Sequence, residues 1–415
     1  MIKRLTLLLT VLLFVACTTT APQSLGPSPE LPRVRQLAEN PAVAAALAHV
    51  DQNRDEILKE WITLTQINAP SGHEAKRAAF VEERLRAIPV DSVTRDSVGN
   101  VIGIHRGTGG GPTVVIDAHL DTVFQPGQEI VARIEDGRIH APGVGDNTRN
   151  VEAVLAVARA IEASAVRPKG DLIYLFTVEE ETSFRGVDHF LAANKGTIDH
   201  FIALDGGYSG FTYGGLGIDW FRLHFFGPGG HTRSRTPPFS ASLPLARTIE
   251  RLYRLRVPDD SHLNVGMLGG AEVVNAKASD AWFSLDVRSV RHEVMQELER
   301  RAFRIAEEEA RRAGMAFQLE TISTRRPATL PGHREGLLVR TAEAVHEVMG
   351  FANPPITPTA TNHLNAALAA GVSGISTGTT PCSDSHSLTE SCEIEPFYRG
   401  IRKIVLLALA MTGVE

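Results

Sequence analysis

The chain has 415 residues, of which 43% are hydrophobic and 22% are charged. This length exceeds one ordinary domain and the apolar fraction supports large cores, so we expect two domains. Lys and Arg number 42 against 48 Asp and Glu, which gives a formal net charge of −6. The sequence therefore lacks the basic surplus of a nucleic-acid-binding protein, and its 3 cysteines are too few for a disulfide-rich scaffold.

Residues 1–17 have the pattern of a signal peptide. Lys3 and Arg4 precede an almost unbroken apolar run that ends at Ala16. As a helix this run would rise only ~18 Å, short of the ~30 Å hydrocarbon core of a bilayer, which is typical of a signal sequence rather than a membrane span. The small residue directly before Cys17 resembles a bacterial lipoprotein cleavage site. Phe14 stands where Leu is usual, which leaves ordinary cleavage open.

The residues after Cys17 are rich in Thr, Pro and Ser, so we expect a flexible tether over 18–40. Together these features predict export to the periplasm or the outer cell envelope. A lipid on Cys17 would be the only attachment to the membrane.

The body of the chain reads as an α/β fold. A helical pattern over 41–85 contains a candidate capping box, in which Ser71 caps the helix and Glu74 reaches back. Short apolar runs with β-branched residues then predict buried strands at 113–118, 172–177, 201–204 and 372–377, alternating with helical patterns such as 151–161. This alternation predicts a parallel-type sheet flanked by helices.

A segment of different texture interrupts that alternation. Residues 216–324 contain partly alternating strands around 220–225 and 281–287, with helical stretches at 243–255 and 294–312. We therefore expect a smaller α+β domain, inserted between catalytic-domain segments 41–215 and 325–415.

Polar residues that suit metal chemistry follow each predicted strand of the larger domain. They are His119 with Asp121, Glu179–Glu181, Asp205 and His386, while Asp146 precedes the helix over 151–161. The carboxyl ends of parallel strands meet at one edge of a sheet, so these side chains should converge. Imidazole and carboxylate ligands suit Zn²⁺ or a similar divalent ion, and two such ions can share one carboxylate.

The motifs and their order resemble those of the co-catalytic zinc exopeptidases, which include peptidase T, carboxypeptidase G and aminoacylase. The matching segments are His119-x-Asp121, Gly145–Asn147, Thr177–Glu181, Ala203–Gly207 and His386. The resemblance extends from about Gln66 to the C-terminus. The Leu204–Gly207 segment, and His386 with Glu390 four residues later, are most similar to the tripeptidase branch.

The resemblance implies a role for each of these residues. One metal ion would be bound by His119, Asp146 and Asp205, and the other by Asp146, Glu181 and His386. Asp121 would orient His119, and Glu180 would act as general base on a water held between two divalent ions, zinc or else cobalt or manganese. The run Glu179–Glu181 also allows a register shifted by one, with Glu179 as the base and Glu180 as the ligand.

The inserted domain carries further residues that match the family. His231, after Gly227–Gly230, would stabilise the oxyanion in the active site of a partner subunit, which implies a homodimer. Asn275 and Arg288 would contact substrate, although Arg288 also suits a strand-end ion pair. Asn365 is a further substrate-binding candidate, but His363 stands where the family often has Asp.

The sequence therefore indicates a metallopeptidase, specifically an exopeptidase of aminopeptidase or tripeptidase type that acts on short peptides. An amidohydrolase that removes the acyl group from N-acyl amino acids would use the same metal chemistry. A catalytically inert binding protein of this fold is a third interpretation, which the retained ligands and base disfavour.

Two cysteines, Cys382 and Cys392, flank His386. A disulfide between them would close a short loop around a metal ligand, in a compartment that permits disulfides. The sequence does not reveal the separation of their Cα atoms and therefore slightly favours the alternative of two free thiols.

Overall fold

The computed structural model describes residues 28–270 and 273–415. The expected signal peptide and Cys17 lie outside these residues. Within them, no helix combines the length and the apolar character that spanning a bilayer requires.

The described residues contain eleven α-helices, and the first four follow one another before the first strand. They are α1 (Leu31–Ala38), α2 (Pro41–Gln52), α3 (Arg54–Gln66), α4 (Ala75–Arg86), α5 (Arg149–Glu162), α6 (Arg185–Ala193), α7 (Ser242–Leu252), α8 (His292–Arg312), α9 (Leu337–Val348), α10 (His363–Ala369) and α11 (Glu395–Thr412).

The described residues contain eighteen β-strands, numbered along the chain. They are β1 (Ser92–Arg95), β2 (Val101–His105), β3 (Val114–His119), β4 (Arg133–Glu135), β5 (Arg138–His140), β6 (Leu172–Thr177), β7 (His200–Leu204), β8 (Phe211–Thr212), β9 (Gly217–Phe226), β10 (Gly230–His231), β11 (Ser261–Gly270), β12 (Ala276–Lys277), β13 (Asp280–Ser289), β14 (Ala316–Arg325), β15 (Ile356–Thr357), β16 (Ser373–Thr377), β17 (Cys382–Ser383) and β18 (Ser391–Glu393).

The larger domain is built on an eight-stranded sheet in the order β1-β2-β6-β3-β7-β16-β8-β15. Its four middle strands, β6, β3, β7 and β16, are parallel, which confirms the predicted fold class. Successive residues of β3 pack on opposite faces, since Val114 and Ile116 join the core under α5 and α11, whereas Val115 joins the core under α6 and α10. Burial on both faces explains why the central strands are continuous apolar runs.

The inserted domain is a four-stranded antiparallel sheet in the order β11-β13-β9-β14. Buried residues alternate with more exposed ones along β9, because α7 and α8 cover only one face of the sheet. The sheet begins at Gly217 and ends at Arg325. This confirms a smaller α+β domain within the larger one, and we call it the lid domain.

The expectation of a flexible tether as far as residue 40 is wrong for its last ten residues. Helix α1 lies within that range, and Val34 is completely buried while Leu31 is nearly so. Arg33 Nη1 also donates to the carbonyl of Ala410 at 2.8 Å. Apolar residues three positions apart dock this helix on the domain, so the ordered body begins before Leu31.

The C-terminal helix α11 supports the edge of the sheet where the strands end. Its Lys403 is completely buried, and Nζ donates at 2.8 Å to the Thr377 hydroxyl and to the carbonyls of Tyr208 and Gly378. These acceptors lie at the carboxyl end of β16 and in the loop after β7. The amino group of this buried lysine therefore connects two of the loops that carry candidate metal ligands.

Candidate metal centre

The candidate ligands meet at the carboxyl ends of the four parallel strands. His119 is the last residue of β3, and its position pairs with Thr177 at the end of β6. Glu180 and Glu181 follow β6 by three and four residues, and Asp205 directly follows β7. The parallel order of the strands thus brings together residues that lie far apart in the sequence.

Asp146 lies between two imidazoles. Its Oδ1 is 3.2 Å from His119 Nε2, and its Oδ2 is 3.1 Å from His386 Nε2. Glu181 Oε1 is 3.2 Å from the same His386 nitrogen, and Asp205 Oδ2 is 4.0 Å from His119 Nε2. One carboxylate therefore faces two separate groups of donors, as a carboxylate shared by two cations would.

The donor atoms fit divalent cations. Two trios have donor atoms within 4.8 Å of one another: His119 with Asp146 and Glu181, and His119 with Glu180 and Asp205. His119 Nε2 and Glu181 Oε1 are buried, and neither forms a hydrogen bond of good geometry among the described residues; their nearest charged neighbours, at 3.2 Å, are Asp146 and His386. Buried polar atoms normally have hydrogen-bond partners, so these two atoms fit a cation between them, and imidazole with carboxylate is a donor set that Zn²⁺ accepts.

Burial and neighbouring charges shift the pKa values of several side chains in the cluster. Hydrogen bonds to Asp146 and then Glu181 raise the pKa of His386 to about 10. Burial, followed by the charge of Asp146, raises the pKa of Asp205 to about 6. Burial also raises the pKa of Glu180 well above its usual range. Carboxylates buried this close together repel one another, and a bound cation would relieve that repulsion.

Asp121 organises the segment that carries both glutamates. Its carboxylate lies 3.2 Å from His119 Nδ1 and accepts hydrogen bonds from the backbone N–H groups of Glu180 at 2.9 Å and Glu181 at 3.1 Å. Burial opposes its charge, but the bonds from His119 and Ser71 prevail and lower the pKa of Asp121 to about 2. One ionised carboxylate thus orients the imidazole and fixes the glutamate backbone.

The capping box expected at Ser71 and Glu74 does not form. Helix α4 begins at Ala75, and Ser71 Oγ instead donates to Asp121 at 2.6 Å. Glu74 Oε1 accepts from the backbone of Gly72 at 2.9 Å and of Glu179 at 3.0 Å. The pattern that reads locally as a helix cap supports the metal centre, because tertiary partners satisfy these side chains better than the helix does.

The loop that carries His386 is fastened to the loop that carries Asp146. Glu390 accepts backbone hydrogen bonds from Gly143 at 2.7 Å, Gly145 at 2.9 Å and Asp146 at 2.8 Å. The Cys382–Cys392 disulfide is formed, across the paired strands β17 and β18. A Cβ on Gly145 would lie 2.7 Å from the Cys392 sulfur, so only glycine fits beneath the bridge.

Two of the predicted residues lie away from this cluster. His231, in β10, and Asn275, next to β12, are both exposed on the lid domain. Neither contacts a metal-site residue in the described part of this chain. The structure brings His231 and Asn275 near each other, because β10 pairs with β12, but not to the metal centre of their own chain.

Arg288 and Asn365 differ in their surroundings. Arg288 forms the strand-end ion pair, with Asp286 at 3.0 Å, and also lines a cleft between the two domains. Asn365 is buried and donates to the carbonyl of Leu216 at 2.6 Å, where the chain enters the lid domain. It lines none of the cavities at the metal centre, whereas Asn362 does.

His363 has a buried carboxylate partner. Its Nδ1 is 2.7 Å from Asp117 Oδ2, and both side chains are almost completely buried. Its ring lies edge-on to that of His119, with centroids 6.1 Å apart. His363 therefore forms a buried pair with Asp117 beside the metal ligand His119. Sequence reasoning missed this pair, because Asp117 reads as one polar residue within a buried strand.

Two cavities meet at the glutamates. The first, of about 290 Å³, is lined by Asp146, Glu181, Asp205 and His386 and by Thr359–Asn362. The second, of about 160 Å³, leads to the lid domain between Trp220, Arg288 and Arg325. Glu180 and Glu181 line both cavities.

We compared the sequence and the structure with known proteins. The sequence pattern of the peptidase family M20/M25/M40 matches residues 115–410. Among solved structures, the chain is similar to aminopeptidase PepT from Bacillus cereus ATCC 10987, with 19% identity and a TM-score of 0.75. It is also similar to a tripeptidase from Staphylococcus aureus Mu50, with 18% identity and a TM-score of 0.78; in both cases 87% of this chain and 99% of the other are covered.

A third similar structure is the YXEP protein of Bacillus subtilis, described as a dinuclear metal-binding peptidase of the M20 family. The identity is 13% and the TM-score 0.67, over 86% of this chain and 98% of the other. At these identities the structural likeness shows a shared fold, while the family assignment depends on the sequence match. Because that match spans most of the chain and includes every candidate metal ligand, the chain belongs to peptidase family M20/M25/M40 and is a metallopeptidase.

Proposed function

We propose that this metallopeptidase is an exopeptidase of aminopeptidase or tripeptidase type that cleaves short peptides. The observation that carries the proposal is the position of Glu180, which lines both the metal cavity and the cleft toward the lid domain. A peptide in the cleft would present its carbonyl group beside Glu180.

The residues present fit two divalent cations, held by His119, Asp146 and Asp205 on one side and by Asp146, Glu181 and His386 on the other. Such ions polarise a carbonyl group and make water more acidic. We assign zinc, with cobalt or manganese as substitutes, because the donors are imidazole and carboxylate.

The chain's own residues would manage the proton. Burial and the carboxylates nearby make Glu180 a good proton acceptor, so it would take a proton from the attacking water and deliver it to the leaving amine nitrogen. Asp121 would hold His119 in one orientation throughout, since it contacts the imidazole and the backbone of Glu180.

We also propose a homodimer in which His231 completes the site of the partner subunit. Its exposure on the lid domain supports this proposal, because in the described part of the chain it has no role at its own metal centre. The developing oxyanion would receive a hydrogen bond from this imidazole.

Export and a lipid anchor at Cys17 remain a proposal based on the sequence. The Cys382–Cys392 bridge supports an oxidising compartment such as the periplasm or the outer cell envelope, because structural disulfides are rare in the cytosol.

The proposed function is tested by turnover of chelator-treated protein reloaded with Zn²⁺, Co²⁺ or Mn²⁺. The substrates are matched di- and tripeptides, the same peptides with an acetylated N-terminus, and N-acyl amino acids. We expect release of the first residue from unblocked peptides, and a ~10²–10⁴-fold lower kcat in the Glu180→Gln variant. Preferential cleavage of N-acyl amino acids would establish the deacylase alternative, and no turnover of any substrate would contradict both.

A further inference from the structure

The chain crosses between the two domains at two adjacent strands. It enters the lid domain at the start of β9 and leaves it at the end of β14, where Ile218 pairs with Arg325. The backbone N–H of Arg325 donates to Asp219 Oδ1 at 3.0 Å, and Asp219 is buried. The two crossings are therefore connected, and Arg325 is the last residue of the lid-domain sheet.

The side chain of Arg325 reaches back into the catalytic domain. Its Nη2 donates to the carbonyl of Ser183 at 2.6 Å and to Asp188 Oδ2 at 3.1 Å. The guanidinium carbon lies 4.1 Å from the centroid of the Phe184 ring. One planar cation thus contacts a carbonyl, a carboxylate and an aromatic face, a combination that Lys cannot reproduce.

The segment held by Arg325 directly follows the two glutamates of the metal centre. Ser183 and Phe184 are two and three residues after Glu181. Phe184 has a positive φ of 59°, so the chain turns sharply here. Its ring packs edge-on against His363, with centroids 5.2 Å apart.

His363 continues this set of contacts to the metal ligands, since its ring lies beside that of His119. Neighbouring side chains therefore connect the junction of the two domains with the metal centre: Arg325, Phe184, His363 and His119.

We propose that Arg325 is a positioning residue that holds the Ser183–Phe184 segment and, through it, the placement of Glu180 and Glu181. The proposal rests on the function proposed above and adds a residue that positions the general base from the junction of the two domains. Loss of the guanidinium would remove its contacts to Ser183, Phe184 and Asp188 together.

Arg325 also lines the cleft beside Arg288, so it could instead bind a substrate carboxylate. The two roles predict different measurements. A positioning residue affects the glutamate segment before substrate arrives and lowers kcat, whereas a substrate ligand raises KM and leaves the free enzyme unchanged.

The test compares Arg325→Ala and Arg325→Lys with Arg326→Ala, a change of the adjacent exposed arginine. Among the described residues Arg326 forms no side-chain hydrogen bond or ion pair, so it is a matched control. Hydrogen exchange is measured on peptides covering 179–188 in the full, metal-loaded chain without substrate. Metal content, kcat and KM are measured on the same preparations.

For Arg325→Ala we expect faster exchange confined to 179–188, unchanged metal content, and a fall in kcat of about 10- to 100-fold with KM within about twofold. Arg325→Lys should recover part of kcat, and it keeps the test decisive if the alanine variant does not fold. Arg326→Ala should match the natural chain.

Unchanged exchange over 179–188 in Arg325→Ala would overturn the proposal, and a raised KM with unchanged exchange would assign Arg325 to substrate binding. The exchange measurement needs no turnover. It therefore distinguishes a failure of this inference from a failure of the proposed function.

Discussion

Among single residues, the adjacent glutamates Glu180 and Glu181 offer the sharpest contrast. Glu181 lies 3.2 Å from His386, whereas the carboxylate of Glu180 lies near His119 and Asp205. We predict that Glu180→Gln keeps both metal ions and loses ~10²–10⁴-fold in kcat, because a general base is removed. Glu181→Ala should instead lower the metal content, measured per chain by elemental analysis after dialysis.

Glu179→Gln is the matched control for this pair, since Glu179 pairs with Arg185 on the surface. It should retain metal and activity. If Glu179→Gln lost turnover while Glu180→Gln lost metal, the register of the three glutamates would be shifted by one residue.

The buried pair of Asp117 and His363 predicts a cost in stability. His363→Ala would leave the Asp117 carboxylate buried with only the Thr177 hydroxyl, 3.0 Å away, as a partner. Removing one member of a buried pair typically costs ~3–5 kcal/mol, so we expect a loss of that order in the free energy of unfolding. Denaturant unfolding measures it, with the exposed His73→Ala variant as control. A loss below about 1 kcal/mol would show that the pair is not a tight contact.

At the level of structural elements, the loop between β17 and β18 decides where His386 lies. His386 has a positive φ of 66° and its side chain is 51% exposed, so its own packing does not hold it in place. The disulfide and Glu390 instead fasten both ends of the loop to the Asp146 segment. A metal ligand on an exposed loop needs such external support to keep its position.

We therefore predict that the free energy of unfolding is about 2–3 kcal/mol lower in the Cys382→Ser/Cys392→Ser double variant. The loss is at the lower end for disulfides because the bridge closes only a short loop. It should also bind one of its two metal ions more weakly, which titration against a chelating indicator will show. The natural chain with reductant should behave like the double variant, and the double variant should not respond to reductant. Equal metal affinity in all four samples would contradict a role for the bridge in metal binding.

At the scale of the whole molecule, the proposed dimer predicts that two inactive variants restore activity when their subunits are mixed. His231→Ala and Glu180→Gln should each be inactive alone, for different reasons. The two variants are mixed in equal amounts under conditions that exchange subunits. If His231 acts in the partner, the site of the His231→Ala subunit in a mixed dimer has its own Glu180 and the partner's natural His231. Random pairing then restores roughly one quarter of the natural activity. No recovery despite exchange, or full activity of a strictly monomeric chain, would refute the trans arrangement.

Local sequence patterns predict the central strands, the position of the metal site and the lid domain. The β-branched apolar runs predict β3, β6, β7 and β16, because a strand buried on both faces must be apolar throughout. Polar ligands directly after those strands predict a metal site at their carboxyl ends, since parallel strands all end at one edge. The change in texture near residue 216 predicts the lid domain, because a sheet covered on one face alternates.

Other features depend on partners that are distant in sequence. Ser71 and Glu74 match a local capping pattern, yet the buried Asp121 and the backbone of Glu179 bind them more effectively. Residues 31–38 look like part of a tether, but α11 and α9 provide the surface on which they fold. The pairing of Asp117 with His363 and the reach of Arg325 into the catalytic domain likewise need the assembled fold. Local pattern determines which elements form, whereas burial against remote groups determines which polar atoms find each other.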